Sequence, residues 1–203
     1  YDVIVIGAGP AGCRTAELIS KHGYNVLLIE EHKDIGKPVQ CAGLVSWRLK
    51  QLLPELAQSV ILNVVNRAKF FSPFTSFELY SEKPMYVIDR TKLDKYLYRR
   101  AKVKAEVKLG KKFLSFIRTK DSIKVKTTKG VYETKLLVGA DGPNSTVARQ
   151  AGLKQPNNKL IGVQATVSGK FDNAVELWFG KEISPKFFAW IIPISRKKAR
   201  ISN

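Results

Sequence analysis

Cysteine, histidine and methionine are scarce in this sequence. Its two cysteines, Cys13 and Cys41, form no CxxC pair, and only two histidines and one methionine accompany them. A disulfide framework or a zinc site needs more of these residues at closer spacing, so we predict no disulfide and no metal site. So few cysteines are typical of a reducing, cytoplasmic setting.

Acidic residues are outnumbered, and long apolar runs are lacking. Seventeen Asp and Glu oppose 35 Lys and Arg, a formal net charge of +18. With no apolar run of about 18 residues, no transmembrane helix is predicted. The positive charge favours a peripheral contact with an anionic membrane or a phosphorylated substrate, or is merely a solvated basic surface. Because the lysines are scattered without interleaved aromatic residues, we expect no nucleic-acid partner.

The first thirty residues have the pattern of a strand, a helix and a second strand. Tyr1 to Ile6 is a continuous apolar run, GAGPAG follows at once, and Ala11 to His22 has helical periodicity that ends at Gly23. Asn25 to Ile29 is a second apolar run, and Glu30 follows it. Continuous apolar strands joined by a helix are typical of a parallel sheet covered on both faces.

This segment carries the residues of a dinucleotide-binding fingerprint. Gly7, Gly9 and Gly12 stand between strand and helix, where missing side chains allow a tight turn and a close approach of backbone to a pyrophosphate. Glu30 is suited to accept hydrogen bonds from ribose hydroxyls. The alternative, a purely structural glycine turn, does not explain why strand, glycines, helix, strand and acid follow in this order.

The rest of the chain is rich in strand patterns. After an ordered loop at Glu31 to Gly43, Val45 to Leu53 predicts a short helix. A second helix is predicted from Asp89 to about Ala101, and a third from Pro143 to Ala151. The runs that predict strands are Val60–Val65, Ala68–Phe71, Phe74–Tyr80, Met85–Ile88, Glu106–Leu109, Phe113–Arg118, Ile123–Thr128, Val131–Val138, Leu160–Val167, Ala174–Phe179 and Phe187–Ile194. We expect Val131–Val138 to return to the nucleotide-binding sheet.

Two later motifs make FAD the predicted cofactor. DRTKLD begins at Asp89 and ADGPNSTVAR at Ala140, and both resemble motifs of a large group of FAD enzymes that includes aromatic hydroxylases and geranylgeranyl reductases. The resemblance implies that Arg90 lies near the flavin nucleotide and that Asp141 supports the ribityl and pyrophosphate region. Taken singly, Arg90 is also compatible with a surface arginine behind a helix cap, and Asp141 with an ordinary Asp-Gly turn.

Two further segments resemble the geranylgeranyl reductases in particular. KPVQCAGLVS, from Lys37, is similar to their cysteine-containing flavin loop, and PKFFAWIIP, from Pro185, is similar to their PxxYxWxFP substrate signature. Phe188 replaces the tyrosine of that signature and Ile192 its second aromatic residue, so the phenolic hydroxyl is lost while an apolar wall remains. At strand period, Phe188, Trp190 and Ile192 share one face. They are predicted to contact a prenyl chain, and the alternative is sheet core.

The resemblance implies a set of site residues. Cys41 is the predicted catalytic residue, because a thiol is mostly protonated near neutral pH and can donate a proton beside the flavin. The alternative for Cys41 is an inert packing residue, which is how we interpret Cys13. His22 and His32 are interpreted as surface residues. The predicted cofactor-binding residues are Gly7, Gly9, Pro10, Ala11, Gly12, Glu30, Glu31, Cys41, Ala42, Gly43, Arg90, Phe113, Asp141 and Gly142.

The predicted fold class is α/β, a doubly wound, Rossmann-like FAD-binding domain with an inserted antiparallel β-sheet domain for substrate. We assign residues 1–58 and 86–152 to the FAD-binding domain and residues 59–85 and 153–203 to the substrate-binding domain. The family's later GD-containing FAD motif does not occur before Asn203, so we expect a truncated, amino-terminal portion of a longer protein.

The function implied by the resemblance is FAD-dependent reduction of C=C bonds in geranylgeranyl chains, on archaeal-type glycerophospholipids or prenyl diphosphates. The expected partners are an isoprenoid lipid and an electron donor, either NAD(P)H or a ferredoxin-type protein. The alternatives are a flavin-dependent monooxygenase of the aromatic hydroxylase type and a non-catalytic protein that binds flavin or a membrane surface. A monooxygenase shares the fingerprint and the ADG motif but has no need for QCAGL or the Trp190 signature.

Overall fold

The computed structural model describes residues 1–156 and 159–203, which form two compact units. Unit 1 comprises Tyr1–Val39 and Thr91–Asn158, and unit 2 comprises Gln40–Arg90 and Lys159–Asn203. Residues 40–58 and 86–90, expected with the FAD-binding domain, thus group with the second unit, because the strand at Leu44–Ser46 pairs within that unit's sheet. The assignment of the two units to cofactor and substrate remains a prediction.

Unit 1 contains three helices and seven strands. Its strands are β1 (Val3–Ile6), β2 (Val26–Ile29), β6 (Glu106–Lys108), β7 (Phe113–Arg118), β8 (Ile123–Thr127), β9 (Gly130–Thr134) and β10 (Leu136–Gly139). Its helices are α1 (Pro10–Lys21), α3 (Arg90–Lys102, from its second residue onward) and α4 (Thr146–Gln150). The predicted strand-helix-strand unit at the start of the chain is therefore present.

A parallel sheet of four strands, in the order β10-β1-β2-β6, is the centre of unit 1. All four residues of β1 and of β2 are buried, as expected for strands covered on both faces. A second, antiparallel sheet of β7, β8 and β9 supplies part of the cover. The core between them contains Ile4, Ile6, Leu27, Ile29, Phe113, Val125 and Val147.

The elements of unit 2 are β3 (Leu44–Ser46), α2 (Arg48–Leu52), a 3-10 turn (Gln58–Val60), β4 (Ile61–Phe71), β5 (Ser76–Ile88), β11 (Gln164–Ser168), β12 (Val175–Trp178), β13 (Ala189–Ser195) and β14 (Lys198–Ser202). Its strands form one seven-stranded sheet, in the order β11-β14-β13-β12-β4-β5-β3. All neighbouring pairs are antiparallel except β4 and β12, which run parallel. The α/β fold class with an added antiparallel layer is confirmed.

Three details of the predicted elements were wrong. Val131–Val138 is two strands, because β9 alternates exposed and inward residues against β8, whereas β10 pairs with β1. Val45–Leu53 is only partly helical, since its beginning pairs with β5 as β3. The four runs between residues 60 and 88 are two long strands, because a register irregularity between Val65 and Arg67 accommodates Asn66 in β4 and residues 81–84 in β5, which suggested breaks.

Among the residues described, no helix combines the length and the apolar character needed to cross a membrane. The longest, α3, has 13 residues and includes several lysines and arginines. Helix α1 has 12 residues and ends before Gly23, whose φ of +88° suits a glycine at a helix C-terminus.

A buried carboxylate joins helices α1 and α3 of unit 1. The Glu17 side chain is 1% exposed and accepts hydrogen bonds of 2.7 Å each from Arg14, Lys21 and Arg100. Burial alone raises the pKa of Glu17, but the hydrogen bonds from Lys21, Arg14 and Arg100 outweigh it and hold this pKa at about 2. The carboxylate is therefore charged in the folded protein and fixes the two helices together.

We predict that Glu17→Gln lowers the free energy of unfolding by about 2 kcal/mol, since the amide cannot satisfy three cationic donors. Because folding lowers the Glu17 pKa from 4.5 to about 2, its stabilisation is complete above pH 4.5 and is lost as the pH falls toward 2. Urea unfolding at pH 7 and pH 3 should show a smaller difference between wild type and variant at pH 3. Glu82→Gln, at an exposed position, is the control.

Candidate FAD site

The glycine loop after β1 is held so tightly that two of its positions exclude any side chain. Gly7 has a φ of +99°, and a Cβ added to it would lie 2.3 Å from the Ala140 carbonyl oxygen. A Cβ on Gly12 would lie 1.8 Å from the Gly7 carbonyl oxygen. Both distances are far below van der Waals contact, so the turn and the close seating of α1 require glycine here.

Gly9 differs, because the space beside it is open. A Cβ added to Gly9 would meet no atom within 4 Å. Gly9 is also the N-cap of α1, it makes no side-chain cap hydrogen bond, and Pro10 occupies the first turn. The N-terminus of this helix thus offers backbone N–H groups and positive dipole potential beside free space, the arrangement that binds a phosphate. The predicted contacts of Pro10 and Ala11 remain predictions.

Glu30 lies at the end of β2 and is hydrogen-bonded to the glycine loop. One carboxylate oxygen, Oε2, accepts a 2.7 Å hydrogen bond from the Ala8 N–H. The other, Oε1, accepts a 2.9 Å bond from the His32 N–H and lies 2.6 Å from His32 Nδ1. A carboxylate fixed beside the loop in this way fits the predicted ribose acceptor. The sequence did not reveal the contact with His32, which was interpreted as a surface residue.

Asp141 follows β10 and caps helix α4. Its carboxylate accepts hydrogen bonds of 2.6 Å from the Ser145 hydroxyl, 2.7 Å from the Thr146 N–H and 3.1 Å from the Val147 N–H. Asp141 therefore has a structural role at the N-terminus of α4, whose N-cap residue is Ser145, and a contribution to cofactor binding stays a prediction. Gly142 has a φ of +80° and open space where a Cβ would be.

The glycine loop and the ADG turn meet at one edge of the parallel sheet. In the strand order β10-β1-β2-β6, the chain passes from β1 to β2 on one side and later adds β10 on the other side of β1. The strand order therefore reverses at β1. A Cβ on Gly7 would lie 3.0 Å from the Asp141 Cα, so the two turns touch. In open α/β sheets, ligands bind beyond the carboxyl ends of the strands where the order reverses. The residues present fit the adenosine and pyrophosphate part of FAD.

We call residues 40–44 the cysteine loop; they belong to unit 2, and an arginine binds to this loop. Cys41 is half-buried, and its Sγ accepts a 3.3 Å hydrogen bond from the Gly43 N–H. Gly43 has a φ of +73°, and a Cβ there would lie 2.6 Å from the Ile88 carbonyl oxygen. Arg200 Nη1 donates hydrogen bonds to the carbonyl oxygens of Ala42, at 2.5 Å, and Ile88, at 3.0 Å.

Arg200 is a residue that the sequence analysis missed. Burial lowers the pKa of its guanidinium, and the nearby carboxylate of Asp89 opposes that effect. No motif surrounds it, and 158 positions separate it from the Ala42 carbonyl that it binds. Only the pairing of β14 with β13 brings it to the cysteine loop. We assign it a positioning role for that loop.

Three other predicted cofactor residues have different surroundings. Arg90 is the first residue of α3 and is half-buried. Glu31 is exposed, and its carboxylate lies 3.6 Å from Lys112 Nζ. Phe113 is 7% exposed and packs in the core of unit 1, so its prediction as a cofactor-binding residue gains no support.

The predicted substrate residues are divided between core and surface in unit 2. Ile192 is 3% exposed and packs with Val65, Val87 and Val175, so sheet core describes it well. Trp190 packs against the same cluster, and within the part of the chain described its buried indole N–H has no hydrogen-bond partner. Phe188 precedes β13, and its ring centroid lies 5.8 Å from that of Trp190.

The glycine geometry predicts opposite outcomes for two similar substitutions. Gly12→Ala should prevent unit 1 from folding normally, because the new methyl group would overlap the Gly7 carbonyl. Gly9→Ala should fold with only a small loss of stability, about 1 kcal/mol for the poorer N-cap, because its methyl group meets open space. If that space receives the pyrophosphate, Gly9→Ala should nevertheless weaken FAD binding at least about 10-fold, as measured by quenching of flavin fluorescence. Full FAD affinity in Gly9→Ala would contradict the site.

The two thiols should differ in reactivity. Burial, followed by the charges of Asp94 and Glu30, raises the pKa of Cys13 to about 12, and its Sγ donates a 3.1 Å hydrogen bond to the Ala8 carbonyl. Cys41 is half-buried in a loop. We predict that iodoacetamide at pH 8 alkylates Cys41 in the native protein and spares Cys13 until unfolding. Peptide mass spectrometry measures both sites, and equal labelling in the native state would contradict the structure.

Comparison with known proteins agrees with this geometry. The FAD binding domain family matches residues 1–198. A digeranylgeranylglycerophospholipid reductase of Methanocaldococcus jannaschii is 33% identical over 207 residues, which cover 95% of this chain and 52% of that protein. The chain thus spans about half the length of this relative.

Solved structures share the fold. A geranylgeranyl bacteriochlorophyll reductase-like protein of Thermoplasma acidophilum superposes with a TM-score of 0.87 at 28% identity, over 100% of this chain and 55% of the other. PqsL, a probable FAD-dependent monooxygenase of Pseudomonas aeruginosa, superposes with a TM-score of 0.76 over 99% of this chain and 59% of its own. At 17% identity PqsL shows the fold alone.

These matches confirm FAD as the cofactor and the resemblance stated from the sequence. The matched family covers nearly the whole chain, and in unit 1 Glu30 and the ADG turn both contact the glycine loop. The chain therefore belongs to the FAD binding domain family of flavoprotein oxidoreductases, within which it resembles the geranylgeranyl reductases.

Proposed function

We propose that the complete protein reduces C=C bonds in geranylgeranyl chains of an isoprenoid lipid. The observation that carries this proposal is a single apolar cluster in unit 2. Ala42 and Leu44, which flank Gly43 in the cysteine loop, pack against the same residues as Trp190 and Ile192. A wall of aliphatic and aromatic side chains bordering Cys41 suits a hydrocarbon chain and offers little to a polar aromatic substrate.

The chemistry divides between cofactor and protein. When bound, reduced FAD supplies a hydride to one alkene carbon. The protein then has to hold the chain, exclude water and deliver a proton to the other carbon. Trp190 is proposed to contact the chain with Ile192 packed behind it, and Cys41 is proposed to donate the proton through its Sγ–H. Phe188 has no hydroxyl, so it cannot share that task.

The positions of Cys41 and its loop depend on Arg200 in this proposal. Two hydrogen bonds from Arg200 Nη1 restrain Ala42 and Ile88, and the Gly43 N–H donates to Cys41 Sγ. A proton donor must lie within hydrogen-bond reach of its target, so a loop fixed on both sides favours transfer. The electron donor, NAD(P)H or a ferredoxin-type protein, is proposed from the resemblance alone. So are the archaeal-type glycerophospholipid or prenyl diphosphate substrates.

Anaerobic turnover tests the proposal. The complete protein, loaded with FAD and reduced with dithionite, is incubated with a digeranylgeranyl glycerophospholipid or with geranylgeranyl diphosphate, and the lipid is analysed by mass spectrometry. We expect the mass of two hydrogen atoms to be added for each bond saturated. No change without oxygen, together with oxygen-dependent gain of one oxygen atom, would support a monooxygenase and contradict the proposal.

The role of Cys41 has a separate test. Cys41→Ala should reduce turnover about 100-fold, as expected for loss of a general acid, while the flavin spectrum is retained. Cys41→Ser, which keeps an exchangeable proton, should retain more activity than Cys41→Ala. Equal, near-wild-type turnover of both variants would show that Cys41 only fills space.

A further inference from the structure

Exposed aromatic side chains are concentrated at one end of the sheet in unit 2. Phe74 is 96% exposed, Phe77 54%, Phe187 47% and Phe179 37%. Phe74 lies in the turn between β4 and β5, Phe77 at the start of β5, and Phe179 and Phe187 in the segment between β12 and β13. We call these four residues the aromatic rim. Isolated exposed apolar residues are ordinary, but a group of phenylalanines on adjoining loops marks an interaction surface.

The two segments that carry the rim are fixed to each other. The Phe179 N–H donates a 2.8 Å hydrogen bond to the Phe71 carbonyl oxygen. A Cβ added to Gly180 would lie 3.4 Å from Pro73 Cγ, so the turn and the second segment are in contact. The Phe70 ring stacks on Phe77 at 4.8 Å and on Phe179 at 6.4 Å. The rim is thus one surface rather than separate loop tips.

The same strands are polar on their other face. Arg67 forms ion pairs of 2.9 Å with Glu78 and 2.7 Å with Asp172, and Lys69 lies 2.7 Å from Asp172. Lys69 pairs with Glu78 in register, whereas the next pair is Phe70 with Phe77. At this end of the sheet, one face therefore carries the ion pairs beside the stacked rings of Phe71 and Trp178, and the other face is apolar with aromatic residues left partly exposed.

The apolar face continues from the rim to the cysteine loop. Ring centroids of Phe179 and Phe188 lie 5.5 Å apart, and those of Phe188 and Trp190 lie 5.8 Å apart. Trp190 packs with Ile192 in the buried cluster that also contacts Ala42. Within unit 2, an unbroken path of apolar side chains thus joins the exposed end to the neighbourhood of Cys41.

We propose that the aromatic rim inserts into the surface of an anionic phospholipid bilayer, from which a lipid chain enters this path. Exposed phenylalanine side chains gain free energy when they leave water for the boundary between lipid headgroups and acyl chains. The segment that carries Phe187 contains Lys181 and Lys186 against one acid, Glu182, and the chain has a formal net charge of +18, which complements an anionic surface. Because Phe74 protrudes almost completely, the rim suits insertion better than a flat protein contact. Only the entry of a lipid chain rests on the proposed function; insertion of the rim into a bilayer does not depend on it.

Vesicle sedimentation tests the docking surface without turnover or electron donor. The complete, FAD-loaded protein is mixed with vesicles of phosphatidylglycerol and phosphatidylcholine, and separately with phosphatidylcholine alone. We expect binding to the anionic vesicles, and the double variant Phe74→Ser with Phe187→Ser should bind them at least about 10-fold more weakly. Tyr24→Ser with Val131→Ser is the matched control, because these residues of unit 1 are 57% and 61% exposed. It should bind like wild type.

The outcomes separate the two proposals. Unchanged vesicle binding by the rim variant, with a normal flavin spectrum and melting temperature, would overturn the docking surface. A second outcome would also overturn it: the wild type is a dimer, the rim variant is a monomer, and neither binds vesicles. The rim would then be an interface between two copies of the protein. If vesicles bind as expected and no lipid is reduced in the anaerobic assay, the docking surface stands and the proposed reaction fails.

Discussion

The close approach of two backbone turns beyond the parallel sheet is the constraint on which the cofactor site depends. Gly7 and Ala140 are so near that a single carbon atom between them would overlap the carbonyl group. Gly12 is equally close to Gly7, which seats the N-terminus of α1 at the same point. With no side chains in this space, helix N–H groups and the open side of Gly9 are available to a pyrophosphate. The rest of unit 1 supports this edge through the buried strands β1 and β2.

The sequence predicted this part of the molecule well because its signals are local. The local structure of this segment can be predicted from residues close together in the sequence: continuous apolar runs, glycines at fixed spacing and an acid at the end of the second strand. Longer-range contacts left no such signal. Arg200 binds a carbonyl in a loop far earlier in the chain, and Glu17 is buried by cations from two helices. Neither could be recognised until strand and helix packing were known.

Unit 2 shows a different limit of sequence reasoning. Its long strands were divided too finely, because Asn66 in β4 and the Ser, Lys and Pro residues within positions 81–84 of β5 suggest turns but are accommodated by one register irregularity. The predicted common face of the substrate signature holds for Trp190 and Ile192, which share the buried cluster. What periodicity could not supply was the identity of the neighbours. The same face carries the cysteine loop at one end and exposed phenylalanines at the other, which gives one surface two proposed tasks.

Hydrogen exchange on adding FAD tests whether the glycine loop and the ADG turn form one cofactor site. We expect FAD to slow amide exchange in the glycine loop and first turn of α1, residues 7–13, and also in the ADG turn, residues 140–146, because both border the same space. Exchange in β8 and β9, on the separate three-stranded sheet, should stay unchanged. If both turns exchange at their original rates when the protein is saturated with FAD, the cofactor does not bind between them.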